Sequence, residues 1–232
     1  MRKDPESGTA SVRGATFEEI AKGKADALQE QPKQRAGMRA LMHRTLRPNL
    51  SEIFFGNRVV LVEGAEDAAF ITSYLHLKGR WDEFRRCGAH IVPTNGKSFL
   101  LEPLIVLHQL GIPAFVVFDS DGQELDSAKR ALHDRDNSAL LRALGEGTIE
   151  AFPSQTVWRK NFTQWKSCFA DAVESDAGKD RWRRYQQAAD KEWGQPGGIR
   201  KNPLHIATCI RLALEEGIAI PTLEELCTRI LN

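Results

Sequence analysis

The sequence predicts an α/β fold in which a parallel sheet is flanked by helices, and two observations lead to this prediction. Three short, β-branched apolar runs alternate with longer stretches that have helical periodicity. The connections between them are short, and the order strand, helix, strand, helix, strand favours parallel strands covered by helices. We therefore expect the core of the protein to lie on both faces of one sheet.

Each of the three predicted strands contains a short apolar run, and the first, a β-branched run, is typical of a strand buried on both faces. They are RVVLVEG (58–64), AHIVPTNGK (89–97) and AFVVFDSDG (114–122). Helical periodicity predicts two connecting helices, over 65–77 and 98–110. The first and third strands end in carboxylates, and this is the feature from which a function can be argued.

Segments on either side of this unit are predicted to be mainly helical. Thr16 marks the start of an amphipathic helix over 17–30, and a basic helical stretch follows from Lys33 until Pro48 ends it. Downstream, helical periodicity predicts helices over 126–144, over 203–214 and from 222 onwards, and one or two helices between 158 and 193. One short strand is predicted at 148–152.

Composition restricts the classes of protein only weakly. The formal net charge of +1 neither supports nor opposes nucleic-acid binding. The four cysteines form no CxxC pair, which argues against a zinc ribbon or a dense disulfide framework. No apolar run approaches the ~18 residues that span a bilayer. We expect a cytoplasmic protein without a membrane partner.

Four carboxylates are expected to meet at one edge of the sheet. Glu63 ends the first strand, Asp67 lies one turn into the next helix, and Asp119 and Asp121 end the third strand. If the two strands are neighbours, roughly 4.8 Å apart, these side chains share a small volume. Carboxylates so close repel each other unless a cation is bound, and hard oxygen ligands suit Mg²⁺ or Mn²⁺. The sequence therefore predicts a divalent-metal site.

The arrangement LVEGAED, followed by FDSDG 56 residues after the glutamate, resembles the Toprim domain of topoisomerases, primases and several nucleases. The resemblance implies a Rossmann-like parallel sheet. It also implies that Glu63, Asp119 and Asp121 form the catalytic and metal-binding core of an enzyme that acts on a phosphodiester backbone.

A finer resemblance, over roughly residues 40–215, is to the catalytic region of the OLD (overcoming lysogenization defect) nucleases, through LRPNLSEIFFGNRVVLVEGAEDAAFI (46–71). It implies a DNA endonuclease or nickase that uses two metal ions. The first ion would be held by Asp119, Asp121 and Glu63. By the same resemblance the second metal would take Asp67, Thr148 and Glu150 as ligands, and Lys201 would offset charge in the transition state. Thr148 stands where the resemblance leads us to expect serine.

One departure from the OLD pattern concerns the ATPase that precedes this region in those proteins. No GxxxxGK[ST] phosphate loop is present. We expect either a fragment or truncated form, or an ATPase subunit acting in trans. The expected organisation is a disordered tail (1–14), an N-terminal helical arm (15–50), a Toprim catalytic core (51–157), a helical insertion (158–200) and C-terminal helices completing the domain (201–232).

A basic and aromatic segment, RWRRYQQAADKEWGQPGGIRK (181–201), is a candidate DNA surface. Its cations are Arg181, Arg183, Arg184, Lys191 and Arg200, and its rings are Trp182, Tyr185 and Trp193. The alternative is an amphipathic helix with its aromatic rings packed inward. The basic helix at 33–47 has two readings as well, a second DNA surface or a homodimer contact.

Ordinary alternatives exist for the site residues and for the activity. Acidic residues at helix starts complement the helix dipole, and Asp and Gly are common in turns. Thr148 and Glu150 could be plain strand residues, and Lys201 a surface lysine. Among activities, the rivals are a Toprim topoisomerase or primase and a non-catalytic Mg²⁺-binding regulatory domain. A topoisomerase requires a nucleophilic tyrosine, for which only Tyr74 and Tyr185 are present.

Overall fold

A five-stranded sheet forms the centre of the computed structural model, which describes residues 2–3, 10–11, 13–45, 52–194 and 201–232. In chain order the strands of this sheet are β3 (Arg58–Val62), β4 (Ala89–Pro93), β5 (Ala114–Asp119), β6 (Val157–Trp158) and β7 (Phe162–Trp165). Their spatial order is β4-β3-β5-β7-β6. All neighbours are parallel except β6, which pairs antiparallel with β7. The predicted α/β class with a mostly parallel sheet is confirmed.

The two acidic strands are direct neighbours, as the sequence led us to expect. In the register of β3 and β5, Val60 lies opposite Phe115 and Val62 opposite Val117. Val59 to Val62 and Phe115 to Phe118 are buried, because helices cover both faces of the sheet. Both strands therefore end at one edge, and the residues that follow them emerge there together.

Helices occupy both faces of the sheet. They are α1 (Phe17–Leu28), α2 (Arg35–Thr45), α3 (Ala65–Leu77), α4 (Trp81–Arg86), α5 (Leu101–Leu110), α6 (Ser127–Ala143), α7 (Phe169–Ala177), α8 (Lys179–Glu192), α9 (Pro203–Glu215) and α10 (Pro221–Leu231). Short 3-10 turns cover Glu52–Phe54 and Lys97–Phe99. Thr16 caps α1 through a reciprocal capping box with Glu19, which confirms the start predicted from the sequence.

The sheet separates two hydrophobic cores. On one face, helices α3 and α7 to α10 pack around Phe70, Phe169 and Trp182. On the other face, α1, α2, α5 and α6 pack around Met38, Leu104 and Phe118. The predicted N-terminal helical arm therefore contributes part of the second core, since its α1 contacts α5 and α6.

Two secondary-structure predictions downstream of β5 are wrong. Residues 148–152, expected to be a strand, form turns and bends with an exposed Thr148. The segment from 158 onwards, expected to be helical only, begins with the hairpin of β6 and β7, and β7 pairs with β5. The reason is burial: Phe162 to Trp165 are buried although Thr163 and Gln164 are polar, so no apolar period marked this strand. The helices α7 and α8 do follow within the predicted helical insertion.

The start of the chain and the cysteines complete the fold. Arg2–Lys3 (β1) pairs antiparallel with Ala10–Ser11 (β2), in a stretch where we expected no regular structure. Two-residue strands leave no periodic signal in a sequence. All four cysteines are free thiols. Among the described residues, no helix combines the length and the apolar character needed to cross a membrane.

Candidate functional site

The ends of β3 and β5 are joined directly by a carboxylate. Glu63, which follows β3, accepts a hydrogen bond at Oε1 from the backbone N–H of Asp119, with a nitrogen to oxygen distance of 2.8 Å. Asp119, the last residue of β5, accepts one at Oδ1 from the N–H of Phe169 at 2.9 Å. Each of these carboxylates is thus oriented through one oxygen. Within the described part of the chain, the second oxygen of each accepts no hydrogen bond.

Asp67 lies in the first turn of α3, beside the same strand end. Its Oδ2 accepts a hydrogen bond from the N–H of Gly64 at 2.9 Å, which satisfies a donor that the helix itself leaves free. Asp67 therefore has a structural role as a helix cap. Such a cap also fixes its carboxylate next to Glu63.

The carboxylates interact electrostatically, and the pKa values of Glu63, Asp67 and Asp119 are raised. Burial, followed by the charges of Asp67 and Asp121, raises the pKa of Glu63 to about 7, although the charge of Lys97 opposes this. Burial and the neighbouring Glu66 raise the pKa of Asp67 to about 6. The pKa of Asp119 lies well above its ordinary value because it is buried and faces three other carboxylates. A cation at this edge would relieve the repulsion.

Asp121 is held by a lysine that the sequence analysis did not identify. The ammonium of Lys97 lies 2.5 Å from Oδ2 of Asp121, and Nδ1 of His133 lies 3.2 Å from the same oxygen. Lys97 follows β4, the other neighbour of β3, so a third strand end contributes to the site. Residues that follow neighbouring parallel strands converge at one edge of the sheet, and TNGK (94–97) follows β4 at that edge. On sequence alone, this segment is interpreted only as a turn.

The chemistry of these donors fits a hard divalent cation, although the geometry of a metal centre is not preformed. Buried carboxylates with unengaged oxygens are the ligands that Mg²⁺ and Mn²⁺ prefer. Among the residues that the structure describes, however, no three His, Cys, Asp or Glu side chains are already grouped so that they could hold an ion. Glu63, Asp67, Asp119 and Asp121 thus remain predicted ligands, close enough to interact but not arranged around one point.

The downstream predicted ligands are placed differently. Thr148 and Glu150 are exposed, and no hydrogen bond or ion pair within the described ranges links them to the four carboxylates. Their segment is nevertheless tied to the site by Asn137, whose amide donates to the carbonyls of Ser120 and Ala151, both at 2.9 Å. Glu150 therefore lies next in sequence to a residue anchored at the end of β5.

Lys201 stands at the outer rim of the site. Its ammonium lies 3.3 Å from a carboxylate oxygen of Glu66, and its side chain is 81% exposed. Its positive charge lowers the pKa of the neighbouring Asp67, against the larger effect of burial. This residue is near the predicted metal ligands and also accessible to a large substrate.

The candidate DNA surface divides into a buried and an exposed half. Trp182 and Tyr185 are each 3% exposed and belong to the core, so the hypothesis that these two rings stack on bases is wrong, and the inward-packed alternative holds for them. The cations Arg183, Arg184 and Lys191 are exposed on α8, and Arg181 is half-buried. Arg200 lies outside the described residues.

A cavity of about 500 Å³ is lined by residues of α3, α7, α8 and α9. Glu66, Arg183, Asp190 and Lys201 contribute polar groups to it, and Phe70 and Trp182 are among its apolar walls. Two of the candidate cations, Arg183 and Lys201, therefore share one concave surface, and the four acidic residues predicted as ligands at the strand ends are not part of its lining.

Comparisons with known proteins found one matching family model and several similar solved structures. Residues 54–121 match the model of the family described as overcoming lysogenization defect protein-like, TOPRIM domain. The fold is similar to structures of the C-terminal region of the OLD protein from Xanthomonas campestris pv. campestris. One is 15% identical and covers 78% of this chain and 94% of that one, with a TM-score of 0.49. A second is 13% identical and covers 77% and 95%, with a TM-score of 0.47. No curated protein matches the chain.

The matched segment contains the first three strands of the sheet and all four acidic residues. It ends before Thr148, Glu150 and Lys201, whose roles the match does not address. The resemblance noted in the sequence is confirmed over residues 54–121, which match the OLD-like TOPRIM family model.

Proposed function

We propose that the protein is a metal-dependent nuclease that cleaves DNA phosphodiester bonds. The observation that carries this proposal is the meeting of Glu63, Asp67, Asp119 and Asp121 at the ends of two neighbouring strands. Burial and neighbouring carboxylates raise the pKa values of Glu63, Asp67 and Asp119. Such a site gains most from a divalent cation, and an OLD-like Toprim domain is a nuclease-type, metal-binding domain.

Mg²⁺ or Mn²⁺ would be held first by Asp119, Asp121 and Glu63. Asp67, with Glu150 and Thr148, would provide the ligands of a second ion. A bound ion would supply Lewis-acid stabilisation of charge on the phosphate and a lowered pKa for bound water. The chain's own contribution is to fix the carboxylate oxygens: backbone N–H groups of Asp119, Phe169 and Gly64 orient Glu63, Asp119 and Asp67.

The cations around the rim would bind the DNA backbone. Lys201 is exposed and close to Asp67, so its ammonium can reach a phosphate that lies over the carboxylates and offset its growing negative charge. Arg181, Arg183, Arg184 and Lys191 on α8 would extend this contact along the strand. Arg200, which lies outside the described residues, is proposed as a further phosphate contact. Because Trp182 and Tyr185 are buried, we propose that binding relies on phosphate contacts and not on stacking by these two rings.

A tyrosine-based strand-transfer reaction is disfavoured by the positions of the two tyrosines. The hydroxyl of Tyr74 donates to Glu224, and that of Tyr185 donates to Glu216. Burial and the adjacent Glu216 raise the pKa of Tyr185 to about 12. Burial and the adjacent Glu224 likewise raise the pKa of Tyr74. Neither hydroxyl is poised to ionise, so hydrolysis is the better supported reaction.

Partners beyond DNA belong to the same proposal. An ATPase domain or subunit would act together with this nuclease, as in the OLD proteins that the sequence resembles. The exposed basic residues of α2, Arg35 and Arg39, would provide either further DNA contacts or a homodimer contact.

Incubation with supercoiled and linear DNA in Mg²⁺, Mn²⁺ or Ca²⁺ tests the proposal. We expect nicking or linearisation with Mg²⁺ or Mn²⁺ and none in EDTA. Asp119→Ala should abolish cleavage while the protein stays folded. The matched control is Asp26→Ala, which removes an exposed carboxylate on α1. Cleavage by the Asp119 variant at the rate of the unmodified protein would refute the assignment.

A further inference from the structure

Lys97 is the only lysine or arginine of the described residues that is buried, with 6% of its surface exposed. Burying an ammonium group is costly unless it is paired and hydrogen-bonded. Its partner is Asp121, with Nζ 2.5 Å from Oδ2. The pair lies at the edge of the sheet where Glu63 and Asp119 meet, and this position points to a role in the site.

The loop that carries Lys97 is locked to the backbone of the site. The N–H of Gly96 donates to the carbonyl of Glu63 at 2.7 Å, and the N–H of Thr94 donates to Val62 at 3.0 Å. Gly96 has a φ of 127°, which a residue with a side chain rarely adopts. The lysine is therefore placed by the same strand end that places Glu63.

His133 completes the arrangement from α6. Its Nδ1 lies 3.3 Å from Nζ of Lys97. An ammonium group has three hydrogens, so Lys97 can engage Asp121 and His133 at the same time. Because Nδ1 of His133 also lies 3.2 Å from Oδ2 of Asp121, the three side chains contact one another. His133 therefore borders both members of the Lys97–Asp121 pair.

The backbone of Asp121 and one of its side-chain oxygens are held in place by neighbouring groups. Its φ of 53° lies in the left-handed region, which is uncommon for a residue other than glycine. Its N–H donates to Ser167 at 3.2 Å, and its carbonyl accepts from Glu124 at 3.0 Å. With the backbone fixed and Oδ2 held by Lys97, only Oδ1 accepts no hydrogen bond from the described residues.

We propose that Lys97 is a positioning residue of the site, supported by His133, which fixes the Asp121 carboxylate through Oδ2 and leaves Oδ1 to act as a ligand or acceptor. This role is separate from that of Lys201, which is exposed and pairs with Glu66. The catalytic part of the inference rests on the proposed nuclease function, whereas the pairing of Lys97 with Asp121 does not.

A double-mutant cycle in EDTA tests the pairing without any activity. Lys97→Met, Asp121→Asn and the double variant are unfolded with urea. Asp121→Asn leaves the ammonium buried without its partner, so we expect the folding equilibrium constant to fall about tenfold or more. The double variant should recover part of this loss. Additive effects of the two substitutions would overturn the proposal.

Cleavage kinetics test the positioning role. We expect Lys97→Met to lower kcat about 100-fold with little change in KM for DNA, Lys97→Arg to recover part of that loss, and His133→Gln to show a smaller loss. Lys24→Met, which breaks the ion pair with buried Glu102, is the control for lost stability and should keep kcat. Lys22→Met, at an exposed position of α1, controls for lost charge.

The two readouts separate the possible failures. Normal kcat in Lys97→Met, or an equal loss in Lys24→Met, would overturn the positioning role. If the unmodified protein does not cleave DNA at all, the nuclease proposal fails, and the urea cycle still decides whether Lys97 and Asp121 are coupled.

Discussion

The two groups of predicted ligands differ in their position in the fold and in their exposure to solvent. Glu63, Asp119 and Asp67 lie at the ends of β3 and β5 or one turn beyond, are half-buried, and have raised pKa values. Thr148 and Glu150 are exposed on turns. A buried carboxylate among other carboxylates costs folding free energy, so its position indicates a function. An exposed one costs nothing, so its position alone indicates little.

The largest effect that would sharpen this comparison concerns catalysis. Asp119→Ala should abolish cleavage, whereas Glu150→Gln should reduce kcat by about tenfold to 100-fold, because a ligand supplied by an exposed turn contributes less fixed geometry. Plasmid cleavage under single-turnover conditions measures both, with Glu146→Gln on the same exposed segment as the control. Equal losses in the Asp119 and Glu150 variants would show that both groups are equally indispensable.

The next effect concerns stability and pH without metal. A folded-state pKa of about 7 for Glu63, against an ordinary value of 4.5, means that the folded protein binds this proton more tightly than the unfolded chain. Its contribution to stability is therefore complete below about pH 4.5 and is lost as the pH rises through 7. The loss amounts to about 1.4 kcal/mol per unit of difference between the two pKa values.

The contribution of Glu63 to the free energy of unfolding is measured by urea unfolding in EDTA between pH 4.5 and pH 8. The unmodified protein is compared with Glu63→Gln. The variant should be the more stable of the two above pH 7, and the difference should shrink as the pH falls. Glu150→Gln, at an exposed position, is the control for the loss of one carboxylate. A Glu63 variant that is less stable at pH 8 would contradict the raised pKa.

The smallest expected effect concerns DNA affinity. Arg184 is exposed on α8, and neutralising one phosphate contact changes the slope of log K against log salt by about 0.9. Arg184→Gln should therefore weaken binding several-fold at low salt and reduce this slope by about one. Fluorescence anisotropy with labelled DNA at several salt concentrations measures it. Arg135→Gln, on α6, is the control, and an unchanged slope for Arg184→Gln would remove α8 from the proposed DNA surface.

The central strands and their acidic ends were predictable because each carries a local signal. RVVLV and AFVVF are unbroken apolar runs, and the turns after them begin with carboxylates. The short connections also favoured parallel pairing, which the register of β3 and β5 confirms. Over this part of the chain, local pattern and long-range structure agree.

The hairpin of β6 and β7 could not be predicted from local pattern. Thr163 and Gln164 are buried in β7 because that strand lies between β5 and β6, with helices on either side. Their polarity hid the strand and led us to expect helices from 158 onwards. The side-chain NH₂ of Gln164 donates to the carbonyl of Ala151, a partner that no sequence spacing reveals.

By itself, the sequence determined which strands carry the acidic residues and that their ends would lie at one edge, because hydrophobic period and turn chemistry are local properties. Only the tertiary structure decided that Lys97 and His133 reach Asp121, since those contacts span 24 and 12 positions and depend on how β4 and α6 pack. It also decided that Trp182 and Tyr185 face the core. Which charged or aromatic group is desolvated, and beside which partner, is set by packing across the whole domain.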